Sequence, residues 1–343
     1  MKEKIDSKES NILKNIKSKY ILQHVFNYLQ EIKLLNIIRY NKSIQKLLDK
    51  NINNYKESSI IEIEITFDEL FFKAKALEDI TEIKFINLPN ENHLFHIYFN
   101  DNKEKIKRDY ITGNDSANKI KIIIDNKIKS LKGLFQECNH IEKISFNKFY
   151  NRNINNMSYM FYGCESLKEL NFYNIKANNV TDMSHMFHGC VSLKELNLSN
   201  FNTNNVIDMS YMFFVCSSLT KLNLENFNTN KVVNMGSMFY LCYHLNKLNL
   251  SNFNTNNVEN MSWMFYKCSS LTKLNLQNFN TNKVYYMTKM FYGCKSLIDL
   301  NFPNCIINSK TRKDDIFDGC DLLQKNNILE KKIKKQNTFC INF

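Results

Sequence analysis

Cysteine is the residue type whose spacing here first asks for a chemical reading. Eight of the ten cysteines, Cys138, Cys164, Cys190, Cys216, Cys242, Cys268, Cys294 and Cys320, follow one another at a constant interval of 26 residues. A column of thiols can hold a metal or supply a nucleophile, and each role needs its own geometry. Tetrahedral zinc needs four ligands that converge, whereas ligands supplied one per repeat lie in a line, and no C-x-x-C pair occurs. The column therefore reads as a row of small buried hydrophobes. Nucleophilic catalysis needs a base and an orienting group converging on the nucleophile. The histidines, His24, His93, His96, His140, His185, His188 and His244, are dispersed, and there is neither a Gly-rich phosphate loop nor an H-E-x-x-H helix. The sequence predicts no enzyme, no metal and no other cofactor, and leaves binding as the function to look for.

The elements that would position a binding surface follow from the same period. Met157, Met183, Met209, Met235, Met261 and Met287 form one column, and Met160, Met186, Met212, Met238, Met264 and Met290 another; with Met1 they account for all 13 methionines. In the unit spanning residues 180–205, Val180, Met183, Met186, Phe187 and Cys190 have the three-to-four spacing of one helix face. Leu193, Leu196 and Leu198 then switch to extended spacing, followed by an Asn-rich turn. One such unit cannot bury its apolar side alone, but stacked copies about 4.8 Å apart build a continuous core. The predicted fold class is an α/β repeat solenoid with one strand and one short helix per repeat. Asn174, Asn200, Asn226, Asn252, Asn278 and Asn304 form a further column, whose amides are expected to satisfy turn backbone.

The run Leu193, Leu196, Leu198 and Asn200 resembles the leucine-rich-repeat signature L-x-x-L-x-L-x-x-N, one residue shorter between the last Leu and the Asn. The whole unit is similar to the BspA-like repeat family. The resemblance covers residues 128–323 and weakens at both ends, where Leu131 and Leu134 replace the two Met in the first copy and Lys313 and Ile316 in the last, as capping copies do. It implies a non-enzymatic scaffold that binds a macromolecule on its strand face. BspA-like repeats also occur in surface proteins that bind host or matrix proteins, so a cell-surface adhesin is the alternative that the resemblance carries.

Alternate side chains of a strand face outward, which selects Glu169 and Asn171, Glu195 and Asn197, Lys221 and Asn223, Lys247 and Asn249, and Lys273 and Asn275 as partner-binding candidates, with Asp299 and Asn301 beyond them. Three consecutive lysines flanked by acids suit an acidic patch or segment on a protein ligand. On the helical side, Tyr159, His185, Tyr211, Ser237, Trp263 and Lys289 precede the second Met of each copy, and their aromatics offer a second surface.

Charge narrows the partner class. The 343 residues carry a formal +12, of which residues 1–56 hold +7 and residues 324–343 hold +4. The stretch between is close to neutral, so a basic nucleic-acid groove is not expected. No run approaches the roughly 18 apolar residues of a membrane-spanning helix, and the start, MKEKIDSKES, lacks the apolar core of a secretory signal. Both point to a cytoplasmic protein.

The ends read as separate modules. Residues 1–56 form a helical N-terminal module, a hairpin at the least, in which ILQHVFNYLQEIKLL (21–35) resembles the F-box. That resemblance implies docking of Ile21, Leu22, Phe26 and Leu29 on a cullin-ligase adaptor, and makes a ubiquitin-ligase substrate receptor a further alternative. Residues 57–127 alternate apolar and polar in IIEIEITF (60–67), HLFHIYF (93–99) and NKIKIIID (118–125), which predicts a β-rich cap that shields the first repeat. In the basic tail, residues 324–343, Cys340 stands fourth from the end behind Lys331, Lys332, Lys334 and Lys335. It resembles a C-a-a-X lipidation site and implies peripheral contact with a cytoplasmic membrane face.

Overall fold

The structure is a computed structural model that describes residues 60–325, apart from 68–81 and the single positions 113, 116, 150, 152, 174 and 176. The chain divides into two units, Met1–Ile60 and Ile61–Phe343, and the description below concerns the second. The expected N-terminal hairpin, with Ile21, Leu22, Phe26 and Leu29, and the tail with Cys340 lie outside the described residues.

The second unit opens on a five-stranded sheet of order β3-β5-β1-β6-β7, formed by β1 (Ile61–Thr66), β3 (Phe95–Phe99), β5 (Lys119–Ile124), β6 (Lys143–Phe149) and β7 (Glu169–Phe172). Alternation creates it. Ile61, Ile63 and Ile65 are buried in register with Ile124, Ile122 and Ile120, while Glu62 and Glu64 turn the other way to meet Lys121, Lys148 and Lys119. Burial raises the Glu62 carboxyl, but hydrogen bonds from Lys121 and Lys148 outweigh it and leave the group below its ordinary value. β1 pairs antiparallel with β6, and β6 pairs parallel with β7. The β-rich segment therefore continues directly into the repeats and covers the edge that the first repeat strand would otherwise expose. A small pair, β2 (Glu82–Lys84) with β4 (Tyr110–Thr112), completes it.

Later repeats contribute β8 (Glu195–Asn197), β9 (Lys221–Asn223), β10 (Lys273–Asn275) and β11 (Asp299–Asn301), paired in parallel as β8-β9 and β10-β11. Strands were expected in every copy, and residues 245–250 instead carry no regular strand. A short helix α1 (Asp321–Lys325) follows the last repeat.

What holds the copies in register lies on the other side of the core. Parallel single-residue bridges join Ser130, Asn156, Asp182, Asp208, Asn234, Asn260, Tyr286 and Arg312 in one unbroken series. From there the backbone does not form the predicted helix. The N–H groups of Met183, His185, Phe187 and Gly189 donate to Asp208, Ser210, Met212 and Phe214 in the next copy, and those of Met186, His188 and Cys190 donate three residues back, to Met183, His185 and Phe187. The segment is a chain of tight turns stitched to its neighbours. Two columns make this geometry, both with left-handed backbone: Tyr159, His185, Tyr211, Ser237, Trp263 and Lys289 at φ 54–59°, and Gly163, Gly189, Val215, Leu241, Lys267 and Gly293 at φ 53–73°. A positive φ at the third position of a turn is incompatible with a right-handed helix and is what a type II turn requires.

The interior consists of aligned columns. Phe135, Phe161, Phe187, Phe213, Phe239, Phe265, Phe291 and Phe317 stack at centroid spacings of 5.2–5.7 Å, and the methionines, cysteines and Leu193-type leucines around them are buried. Among the left-handed positions Val215 is the costly one, because a β-branched side chain there crowds its own backbone while glycine does not. Val215→Gly should stabilise the protein by about 0.5–1 kcal/mol after the entropy of the freer unfolded chain is subtracted. That corresponds to a Tm rise of about 1–3 °C, and a lower Tm in thermal melts would show that Val215 packing outweighs its strain.

Candidate partner-binding site

The strand face forms an open trough of about 1790 Å³ lined from Lys168 to Asn301. All ten partner-binding candidates line it: Glu169, Asn171, Glu195, Asn197, Lys221, Asn223, Lys247, Asn249, Lys273 and Asn275. The intervening leucines point inward, Leu196 and Leu274 fully and Leu222 in part, and that alternation is what pushes the polar residues out.

The asparagines have a common orientation. The Oδ1 atoms of Asn197, Asn223, Asn249 and Asn275 accept the backbone N–H two residues on, from Ser199, Glu225, Ser251 and Gln277, at 3.0–3.2 Å. Each side chain closes the turn after its own strand. Each oxygen thus accepts at least one bond, that of Asn275 a second from Asn301, and the atom of each side chain that makes no hydrogen bond among the described residues is Nδ2, which can only donate.

The charges are graded along the trough. At its N-terminal end Lys143 meets Glu169 at 2.7 Å, Lys168 meets Glu142 at 2.6 Å, and Lys221 meets Glu195. The hydrogen bond that Lys143 donates to Glu169 holds its ammonium above its ordinary value. Lys247 and Lys273 have no ion-pair partner among the described residues. The centre of the trough is therefore a strip of N–H donors carrying unneutralised positive charge, suited to a ligand that brings oxygen acceptors.

The cysteine column faces the core. Each Sγ–H of Cys164, Cys190, Cys216, Cys242, Cys268, Cys294 and Cys320 donates to a phenylalanine carbonyl of the preceding copy, at 3.0–3.2 Å. Burial pushes the Cys242 thiol up to about 12, so it stays protonated and unreactive at neutral pH. Among the described residues no group of three or more His, Cys, Asp or Glu side chains could hold a metal ion. The Asn column ties copies together as its spacing suggested: Asn226, Asn278 and Asn304 donate to the carbonyls of Ser199, Ser251 and Gln277, and Asn252 to those of Leu224 and Phe227.

The family whose model matches the chain is described as "Mycoplasma protein of unknown function, DUF285", and it matches at residues 129–222 and 214–331, more than half of the sequence. The chain belongs to this family. The matched residues fall almost wholly within the stretch that carries the 26-residue repeat, and each of the two matches spans several turn-and-strand units. A search of the curated proteins returned no match. Among solved structures the chain is similar to a leucine-rich repeat protein from Bacteroides ovatus, at 15% identity over 66% of this chain and 79% of that one, with a TM-score of 0.23. That score is too low to inform the architecture.

The sequence reading missed two features of this DUF285 solenoid. Buried Thr203, Thr229, Thr255 and Thr281 each donate Oγ1–H to a carbonyl of the next copy and accept an N–H from it; the repeated Asn-Thr-Asn was their visible signal. Tyr162, His188, Phe214, Tyr240, Tyr266 and Tyr292 form a second, half-buried ring ladder with spacings of 4.4–5.0 Å. It runs beside the shorter stack of Tyr159, His185 and Tyr211. Stacked rings turn their edges to solvent, which an aromatic count cannot show.

Within the ladder His188 lies between the Tyr162 and Phe214 rings, with its Nδ1 3.2 Å from that of His185. Burial, reinforced by the His185 imidazole, pushes His188 down to about 4. A free histidine titrates near 6.5, so the unfolded chain binds this proton more readily than the folded one. Stability from this group is full above about pH 6.5, falls as pH drops from there to about 4, and changes no further below. His188→Phe, which copies Phe214, should reduce the loss of Tm between pH 7 and 4.5 relative to the unaltered protein. An equal loss in both would mean that His188 does not carry it.

Proposed function

We propose that this DUF285 chain is a non-enzymatic binding scaffold whose trough holds an acidic segment of a protein partner. The observation that carries the reading is the donor strip: four asparagine Nδ2 groups that make no hydrogen bond among the described residues, beside Lys247 and Lys273, which make no ion pair among them. A side-chain or backbone oxygen of the partner gains hydrogen bonds there without displacing any internal one, and its carboxylates gain charge-assisted bonds, which are about twice as strong as neutral ones.

A protein ligand fits better than a nucleic acid. No aromatic side chain lines the trough to stack a base, and the residues between 57 and 323 carry a net charge near zero. Glu169 and Glu195 stand at one end and Asp299 at the other, so an acidic segment is attracted to the middle and discouraged from sliding outward.

The test is a titration of the full chain with labelled peptides rich in Glu and Asp, against neutral and basic peptides of the same length. The acidic peptides should bind more tightly, with an affinity that falls as salt rises. Lys221→Glu, Lys247→Glu and Lys273→Glu combined should weaken them by about tenfold or more while leaving the circular dichroism spectrum unchanged. Equal binding of acidic and neutral peptides, or an unaffected triple variant, would remove the trough as the site.

A further inference from the structure

On the turn side each copy passes its backbone hydrogen bonds to the next in a fixed pattern. Where the first copy meets the second, the N–H groups of Leu131 and Gly133 donate to the carbonyls of Asn156 and Ser158, and the Asn155 N–H donates to the carbonyl of Lys129, at 2.9–3.0 Å. One copy earlier the equivalent groups are the carbonyls of Ser130 and Lys132 and the N–H of Lys129. These three groups make no hydrogen bond among the described residues. The rest of this edge is closed. Asn87 donates its backbone N–H to the Leu134 carbonyl and its Nδ2 to the Gln136 carbonyl, both at 2.7 Å. The cap thus seals Leu134 to Gln136 and stops short of Lys129 to Lys132.

A half-open cavity of about 400 Å³ lies over the unsealed part, lined on one side from Asn87 to Leu94 and on the other from Lys127 to Leu134. Lys129, Ser130 and Lys132 line it and are exposed, so their edge of the ladder meets open space. Leu88 and Pro89, both half-buried, give the cavity an apolar wall. Its charged lining is Lys127, Lys129 and Lys132 against Glu91 alone. Lys132 is turned onto the Tyr159 ring, 5.6 Å from its centroid, while Lys127 and Lys129 make no ion pair among the described residues.

The order of the unused groups chooses the occupant. A donor at Lys129 and acceptors at Ser130 and Lys132 are matched by one carbonyl and two N–H groups at alternate residues, which is one edge of an extended peptide. Strand addition uses unpaired backbone of this kind. A second copy of this chain does not fit. Its last repeat brings the N–H groups of Lys313 and Asp315 in this register, but its following residues would need the place over Leu134 that Asn87 holds. We propose that the edge from Lys129 to Lys132 takes a short extended segment of a protein partner, added in parallel as a rung ahead of the first copy. Following the later copies, one partner residue donates its N–H to Ser130, the second residue after it donates to Lys132, and the second before it accepts from Lys129. An apolar side chain at the first of these meets the wall of Leu88 and Pro89. Acidic side chains two and four residues ahead of it stand beside Lys129 and Lys127, which favours them. The site is independent of the trough.

The probe is a labelled, C-terminally amidated peptide, Glu-Thr-Glu-Thr-Leu-Thr-Thr, followed by fluorescence anisotropy. It is titrated into the full chain carrying Lys221→Glu, Lys247→Glu and Lys273→Glu, which keeps this edge and removes the lysines of the trough. Saturable binding is expected there. Methylating the leucine N–H of the peptide, which deletes the bond to Ser130, should weaken binding by about tenfold or more, and adding Lys127→Glu with Lys129→Glu should weaken it by a similar factor. Hydrogen exchange at the Lys129 amide, read by NMR, should be fast in the unaltered chain alone and slow by about tenfold or more with peptide bound. Absence of binding to the trough variant, equal binding of the methylated peptide, or unchanged exchange at Lys129 would each overturn the proposal. So would a Lys129 amide already protected before peptide is added, which would mean that the chain covers this edge itself.

Discussion

The turn segment has to divide its backbone hydrogen bonds between itself and its neighbour, and the rest of the solenoid depends on that division. Every second N–H from Met183 to Gly189 reaches the next copy, and the ones between close local turns. A helix would spend all of them within its own copy and leave this side of the copies joined by side chains alone. The alternation needs two left-handed residues per copy, which fixes the segment's length and aims its side chains. Methionine, phenylalanine and cysteine go to the core, and residues such as His185, at the first left-handed position, and His188, just before the second, reach the surface. Side chains at equivalent places then stand one repeat apart, close enough for rings to stack and amides to bridge.

Much of this was legible in the sequence, and the failure has an identifiable cause. The cysteine and methionine intervals gave the period, and the Leu193, Leu196 and Leu198 spacing located the strand-side residues; every position chosen as outward-facing lines the trough. The helix was misread because apolar residues at three-to-four intervals, such as Val180, Met183, Met186 and Phe187, also arise when successive three-residue turns place every third or fourth side chain inside. Periodicity reports which face is buried and does not report the hand of the backbone. Glycine did carry that information: Gly163, Gly189, Gly293 and Gly319 share one column and all have positive φ. Val215, Leu241 and Lys267 in the same column obscured it. Asn249 was expected on a strand that the structure leaves irregular; its copy differs in carrying Asn246 where the others have Lys194, Thr220, Thr272 and Ile298, and Asn is depleted in strands.

The two long faces follow from one rule applied to different side chains. On the strand face the asparagine oxygen already accepts a bond from its own turn before any ligand arrives, so the amide N–H groups are what each side chain has left wholly unused. On the turn face the rings bond to one another, so their flat sides are spent and only edges remain, except where a small residue breaks the stack. In both cases the contacts that hold the fold decide which atoms are left to meet a partner. A side-chain inventory therefore overstates what the surface offers: the trough is poorer in acceptors, and the turn face poorer in stacking surface, than composition suggests.

Because one unbroken series of bridges from Ser130 to Arg312 joins equivalent positions, the turn-side junction between any two internal copies is built in the same way. Duplicating or deleting one 26-residue unit in the coding sequence recreates that junction without inventing a new one, and moves the ends apart or together by about 4.8 Å. Ligand length in such a protein becomes a matter of arithmetic at the level of the gene, adjustable by unequal recombination in single steps, while point changes at Lys247 or Lys273 adjust what is recognised along that length.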